Sequence, residues 1–477
     1  MFRNRLLFNV AKRRTPFLYK ERNHNAAIMK MQKYFFNTSA SIHNESICIA
    51  SINLTDQGEK IDIQWNNGES STYHARWLFE NCPSIYEDQT GQKISRDSPR
   101  HILKGYDDNY YDKTTKKKQK LIIEKVNILN GGKKIEIKWP WEDDVDQCNN
   151  KSIFDSGHLK KHSYSNKALE NQSKRFDPLN TALKSTDPIP KISYNEIMES
   201  DKGVFQWTDH LTKCGICLVT DLPNILETIQ DVASRICPTI ETLYGRTFDV
   251  RVEENAINIA YTSAPLEPHM DLAYYESPPG IQMLHCLKFA DTIVGGESTF
   301  VDTFIIADVL RKRYPEAFEA LCTIPATFQK SHVEREHPAQ MFYQRPHIST
   351  NHQGEVNAVF WSPPFEGPLK VHANDVDKYY DAYDKFKYLL LHDTEFLNQW
   401  KLEFRLKPGE MVTFNQRRML HGRNGWEDLH SGGVRHLQGT YLNIDDFLNR
   451  YRYLRSKYDN VDLGLESIVR ASNSSFS

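Results

Sequence analysis

His269-Met-Asp271 and, far downstream, Leu420-His-Gly-Arg423 are the stretches on which the reading of this 477-residue chain turns. On a strand, positions 269 and 271 project from the same face, so a histidine nitrogen and a carboxylate oxygen can grip one metal ion together. A third ligand from a neighbouring strand, His421, completes the two-histidine, one-carboxylate set that leaves positions open on Fe(II). Two nitrogens and one oxygen keep iron redox-active, and the open positions take a cosubstrate and O2.

The surroundings of those stretches sharpen the pattern. Arg435 follows His421 by fourteen positions, inside the strand-like run Val434-Arg-His-Leu-Gln-Gly-Thr-Tyr441. A guanidinium fork there suits the distal carboxylate of 2-oxoglutarate, a bidentate partner that lysine would serve less well. Between the two halves sits Gly295-Gly-Glu-Ser298, whose hydroxyl can bond the same carboxylate. Each feature alone is common; the ordered set His-x-Asp, Gly-Gly-x-Ser, His, Arg is specific.

Composition sets outer bounds. Lys and Arg number 60 against 62 Asp and Glu, with 39% hydrophobic and 12% aromatic residues. That is enough apolar area for packed domains and argues against wholesale disorder. A mean hydropathy of −0.62 and the absence of a run of about 18 apolar residues argue against a transmembrane span. A net charge of −2 argues against a nucleic-acid partner. The eight cysteines are scattered, as suits a reducing compartment. Cys214-Gly-Ile-Cys217 has redox or zinc spacing, but it lies in an apolar run that reads as a buried strand, with no second such pair to complete a zinc set.

The charge is uneven along the chain. Residues 1–43 carry nine Lys/Arg and the single acid Glu21, a net +8 that leaves −10 for the rest. Arg-rich, acid-poor and ending in Ser/Thr, residues 1–47 read as a mitochondrial transit segment, largely disordered, directing the chain to the matrix; a cytoplasmic location is the alternative. Residues 48–145 read as a small β-rich domain. Ile61, Ile63 and Trp65 alternate before a turn at Asn66-Asn-Gly-Glu, and a second hairpin unit is signalled at Leu121–Trp139 with Asn130-Gly-Gly as its turn. No internal repeat is expected. Residues 146–190 read as a polar linker closing on Pro188-Ile-Pro190, residues 191–460 as the catalytic domain and residues 461–477 as a flexible tail. Within the catalytic domain helices are expected at 223–243, 304–321, 375–397 and 445–458, and strands at 214–219, 281–288, 355–361 and 410–414.

The sequence resembles the gamma-butyrobetaine dioxygenase and trimethyllysine dioxygenase family, relatives of taurine dioxygenase. The resemblance is carried by Ala260-Tyr-Thr262, His269-Met-Asp271, Pro278-Pro-Gly-Ile-Gln-Met-Leu-His-Cys-Leu-Lys288 and Gly295-Gly-Glu-Ser-Thr-Phe-Val-Asp302. It continues through Pro315-Glu-Ala-Phe318, Lys407-Pro-Gly409, Leu420-His-Gly-Arg423 and Arg435-His-Leu-Gln-Gly-Thr-Tyr441, and more weakly through Ala75-Arg-Trp-Leu-Phe-Glu-Asn-Cys-Pro83. It implies a mostly β fold with helices, a double-stranded β-helix (jelly-roll) catalytic core behind the small β-rich domain. It also implies Fe(II) on His269, Asp271 and His421, with 2-oxoglutarate on Arg435 and Ser298, O2 as oxidant and ascorbate as reductant. The family holds a trimethylammonium group in an aromatic cage; the matching positions are Tyr244, Phe248, Tyr261 and Tyr441, with Asn258 as a polar contact.

This chain departs from the family at several places. Phe248 stands where the butyrobetaine enzyme has Trp, Leu272 replaces a cage aromatic, and Ala358-Val-Phe-Trp-Ser-Pro-Pro364 differs from a strand that meets the substrate carboxylate. Of the family's zinc cysteines only Cys82 remains, with Ser84 and Glu87 at the other positions, so a structural zinc is not expected and His158 and His162 read as surface residues. The leading expectation is hydroxylation of gamma-butyrobetaine to L-carnitine, with trimethyllysine hydroxylation as the alternative and a non-catalytic binding descendant as a distant third. The partner expected is a small quaternary-ammonium molecule, with no nucleic acid and no membrane insertion; the reading leaves room for a homodimer.

Overall fold

The computed structural model describes residues 47–87, 89–94, 120–140, 150–169, 178–252, 259–334, 338–429 and 433–459. The expected transit segment, apart from Ile47, and the expected tail lie outside them. The chain divides into two compact units, Met1–Gly157 and His158–Ser477.

The first unit is built twice. Strands β1 (Ile49–Thr55), β2 (Lys60–Trp65) and β3 (Ser70–His74) form one antiparallel sheet; β4 (Lys125–Leu129), β5 (Lys134–Lys138) and β6 (Lys151–Asp155) form another in the same order. Gly58, Ile61, Ile63 and Trp65 recur as Gly132, Ile135, Ile137 and Trp139. The isoleucines and tryptophans of both copies are buried, and each indole donates to a serine on the next strand, Trp65 to Ser71 at 3.0 Å and Trp139 to Ser152 at 2.9 Å. Gly58 and Gly132 share a left-handed backbone (φ +90° and +87°), and each faces the other copy: a Cβ at Gly58 would strike the Ile123 carbonyl, one at Gly132 the Ile49 carbonyl. An internal repeat is therefore present, contrary to the sequence expectation. The stretch read as a linker is also corrected, since β6 lies inside it and completes the second sheet.

The second unit adds β7 (Lys191–Ser193), β8 (Ile216–Thr220), β9 (Phe248–Val250), β10 (Leu266–His269), β11 (Ile281–Phe289), β12 (Ile293–Gly295) and β13 (Ser298–Asp302). Two hairpin ribbons follow, β14 (Pro325–His332) with β15 (Ala339–Pro346) and β16 (Ile348–Thr350) with β17 (Val356–Val359). The chain closes with β18 (Lys401–Phe404), β19 (Met411–Asn415), β20 (Met419–Arg423), β21 (Trp426–Asp428) and β22 (Arg435–Leu442). A six-stranded sheet runs β7-β8-β19-β11-β22-β9 and a four-stranded sheet β10-β20-β13-β18. Leu218, Leu284, Cys286 and Leu437 of the first pack with Phe300, Leu402 and Met419 of the second in one core. The opposite face of the larger sheet, through Cys217, Val219, Ile281 and Met283, packs on the helices Asp201–Cys214, Thr228–Ser234 and Ile444–Tyr458. Covered on both faces, β11 is buried at all but one position, Lys288.

Several expected elements shift. The 304–321 helix is two, Thr303–Arg313 and Pro315–Thr323, because Pro315 cannot continue the first and suits the first turn of the second. The expected 223–243 helix shrinks to Thr228–Ser234, and 375–397 becomes Ala373–Leu391 followed by Thr394–Trp400. Cys214 ends the helix Asp201–Cys214 and Gly215, at φ +75°, turns the chain into β8, so the two cysteines do not share a strand. His158 and His162 are half-buried with ring centroids 4.6 Å apart, rather than plain surface residues. Among the described residues no helix is long and apolar enough to cross a membrane.

Candidate active site

Antiparallel pairing of β10 with β20 sets His269 directly opposite His421, ring centroids 4.4 Å apart. β10 stops at His269, and Asp271 lies in the bend beyond it, so the two do not share a strand as the spacing predicts. Leu272, at φ +59°, turns the chain sharply after Asp271, a conformation costly for a side chain with a Cβ. The bend is tied down: Met270 N–H donates to the Trp361 carbonyl at 2.8 Å and Ser362 Oγ donates to the Met270 carbonyl at 2.8 Å. Asp271 Oδ1 comes 3.4 Å from His269 Nε2 and Oδ2 comes 3.8 Å from His421 Nε2. All three ligand atoms lie within 4.8 Å of one another, the grouping a single metal ion takes.

The protonation of the cluster suits a cation. His269 Nδ1 faces the Glu267 carbonyl at 2.8 Å, which can only accept, so Nδ1 carries a proton and Nε2 is the nitrogen turned to Asp271. Burial pushes His421 down to about 3, with His269 adding to the effect, which keeps that imidazole neutral. Burial also opposes charge on His269, but the hydrogen bond and charge of Asp271 outweigh it and raise that group. Burial alone would raise Asp271; His269, His421 and the Tyr441 hydroxyl together hold its carboxyl well below the usual range. A carboxylate and two imidazole nitrogens thus converge without needing to shed a carboxyl proton first.

The cluster opens on a pocket with two unlike ends. At one end stand Ser298, Arg423 and Arg435. Arg435 is buried; among the described residues its Nε has no hydrogen-bond partner and its Nη2 reaches the Gly296 carbonyl at 3.5 Å. Arg423 Nη1 donates to the Ala260 carbonyl at 3.1 Å and Nη2 to Thr262 at 2.6 Å and Ala264 at 2.7 Å, leaving a buried, unpartnered Nε. Burial pushes both guanidiniums down to about 10, with Arg423 and Arg405 adding repulsion on Arg435. Among the described residues neither has a carboxylate within ion-pair distance. Buried cations without counter-charge are costly, and an anion at this end would offset that cost.

At the other end the walls are aromatic. Phe248 stacks on Tyr441 with centroids 5.0 Å apart, Tyr244 lies 6.3 Å from Phe248, and Tyr261 lines the same pocket. Asn258 lies outside the described residues. Sequence reasoning missed Tyr274, buried and edge-on to Phe365 at 5.2 Å, both of which line the pocket. It also missed Arg423 and Gln282 as pocket residues; the one signal for Gln282 was a polar side chain inside an apolar strand.

Residues 176–441 match the family described as "Taurine catabolism dioxygenase TauD, TfdA family". The chain belongs to that family. It is a 2-oxoglutarate-dependent dioxygenase by that membership. Gamma-butyrobetaine dioxygenase of Homo sapiens is 28% identical over 419 residues, covering 85% of this chain and 97% of that protein. The enzyme of the same name from Pseudomonas sp. (strain AK-1) is 28% identical over 399 residues, 83% and 94% of the two chains. Mitochondrial trimethyllysine dioxygenase of Bos taurus is 29% identical over 275 residues, 56% of this chain and 61% of that protein. The metal-type cluster and the pocket of this TauD/TfdA-family dioxygenase fall within the matched stretch.

Proposed function

We propose that this dioxygenase hydroxylates a trimethylammonium substrate, gamma-butyrobetaine in the first place, using Fe(II), 2-oxoglutarate and O2 in a double-stranded β-helix core. The observation that carries the reading is one pocket lined together by the His269, Asp271 and His421 cluster, by two buried guanidiniums with unpartnered Nε atoms and by aromatic rings. His269, Asp271 and His421 would hold iron: an ionised carboxylate, a neutral His421 and the Nε2 side of His269 fit a divalent cation. Iron with 2-oxoglutarate supplies the oxidising chemistry when bound. The protein's own residues bind, orient and exclude water. Arg435 and Ser298 take the far carboxylate of 2-oxoglutarate, where burial strengthens every charge contact. Tyr244, Phe248, Tyr261 and Tyr441 present ring faces to a cation that cannot donate hydrogen bonds, and so fix its chain relative to the metal side.

Trimethyllysine is the second reading. The Arg-rich residues 1–43 favour it, together with the mitochondrial label carried by the bovine trimethyllysine enzyme. The same segment supports a mitochondrial matrix location, with the cytoplasm as the alternative. The test is a substrate panel: protein supplied with Fe(II), ascorbate and 2-oxoglutarate is expected to release succinate with one of the two trimethylammonium compounds well above the substrate-free rate. No increase with either compound would sink the proposal.

A further inference from the structure

The two histidines of the cluster are aimed by the sheet; the aspartate is not. His269 and His421 are register partners on paired strands, whereas Asp271 lies off the end of β10, just before a residue at φ +59°. Backbone pairing therefore leaves its carboxylate free to rotate, and side chains must set it. Gln282 Nε2 donates to Asp271 Oδ2 at 2.7 Å and the Tyr441 hydroxyl donates to the same oxygen at 2.8 Å. From below, Gln416 Oε1 accepts the Asp271 backbone N–H at 3.2 Å, and Gln416 Nε2 donates to the Pro279 carbonyl at 2.9 Å. Gln282 and Tyr441 stand opposite each other on β11 and β22, two central strands of the larger sheet, so both donors come from a rigid base. Gln282 faces the pocket and not the helices: its neighbours in alternation, Leu284 and Cys286, belong to the core between the sheets.

We infer that Gln282 and Tyr441 are positioning residues that occupy Asp271 Oδ2, so that Oδ1 alone serves as a metal ligand. The inference rests on the function proposed above. Two donors on Oδ2, which lies 3.8 Å from His421 Nε2, leave it a poor ligand, while Oδ1 stays turned toward His269 at 3.4 Å, keeping the carboxylate to a single position on the metal and the remaining positions open. Tyr441 does a second thing with the same side chain. Its ring stacks on Phe248 in the aromatic chamber while its hydroxyl holds Asp271, so an occupant that shifts the ring also shifts the donor on the ligand. The chamber and the metal cluster are coupled through one residue.

The experiment uses the full chain freed of metal, with Tyr441→Phe, which keeps the ring and loses the donor, and Gln282→Met, which keeps length and loses the donor. Co(II) titration by calorimetry reads affinity, and the visible spectrum of the Co(II) form reads ligand geometry; neither needs turnover. Each variant is expected to bind Co(II) about 10- to 100-fold more weakly, with an altered visible spectrum. In turnover each should form more succinate per substrate hydroxylated. Wild-type affinity and spectrum in both variants would overturn the inference. Should Gln282→Met fail to fold by circular dichroism, Tyr441→Phe decides alone. Wild-type protein that bound no Co(II) would instead overturn the metal reading of the site, a failure distinct from this one.

Discussion

Gly439 is a residue whose importance lies in what it lacks. It stands opposite Phe248 in the pairing of β9 with β22, and the Phe248 ring lies across it; a Cβ there would collide with the ring carbons. The glycine is kept for close approach and not for a special dihedral. Gly439→Ala must push Phe248 off its stacked position on Tyr441, removing one wall of the chamber. The KM for a trimethylammonium substrate is expected to rise roughly tenfold, the order of one lost cation–π contact, while the KM for 2-oxoglutarate holds within about twofold. Steady-state succinate release measures both, and an unchanged substrate KM would take Phe248 out of the chamber. At this scale the sequence was readable where chemistry is written in residue type. His269, Asp271 and His421 stand out because few other side chains bind metals. Tyr274 and Phe365 did not, because their approach to the pocket depends on the turn at Leu272 and on the Trp361–Ser362 segment bonded to Met270. Nothing local in their sequence announces either.

Among elements, burial decided what could be read. β11 was legible because both of its faces are covered and six of its nine residues are apolar. The repeat in the first unit was not, because the copies share only a few spaced positions, Gly-x-x-Ile-x-Ile-x-Trp, and their connections differ in length. The short helix Pro363–Phe365 that follows Trp361 is also opaque from sequence, yet it leads into an unusual group. Burial pushes the Glu366 carboxyl up to about 7, the Tyr383 hydroxyl offsetting only part of that, and its Oε1 has no hydrogen-bond partner among the described residues. A carboxyl raised on folding binds its proton more tightly in the native state than in the unfolded chain. Its stabilising contribution is therefore complete below the ordinary value of 4.5 and is lost as pH rises toward about 7. Glu366→Gln keeps the shape without the titration. Its melting temperature should fall less than that of the wild type between pH 4.5 and 7, and the variant should be the more stable of the two at pH 8. Parallel slopes for the two proteins in thermal melts would show that Glu366 titrates as it does in water.

For the whole molecule, the near-zero net charge conceals an arrangement in which charge is placed for ligands. A +8 segment precedes a remainder at −10, and inside that acidic remainder Arg423 and Arg435 are buried with no carboxylate partner among the described residues. The ligand-free fold thus carries positive charge that it does not neutralise, a cost that a dianion removes on binding. The consequence can be separated from catalysis. Arg435→Met replaces a buried, unpaired cation with an apolar side chain of similar length, and so removes the cost of keeping that charge out of water. Without ligands the variant should therefore melt no lower than the wild type, and higher if the charge is as poorly compensated as its surroundings suggest. Adding Mn(II) and 2-oxoglutarate should reverse the order. A ligand at a hundred times its Kd stabilises the native state by about 2.7 kcal/mol, a gain open to the wild type and closed to a variant that has lost the anchor. Thermal melts of both proteins, with and without the two additions and with a chelator as control, give the four numbers needed. An Arg435→Met protein that melts lower without ligands, yet still gains the full 2-oxoglutarate shift, would mean that Arg435 serves the fold and that the dianion is held elsewhere.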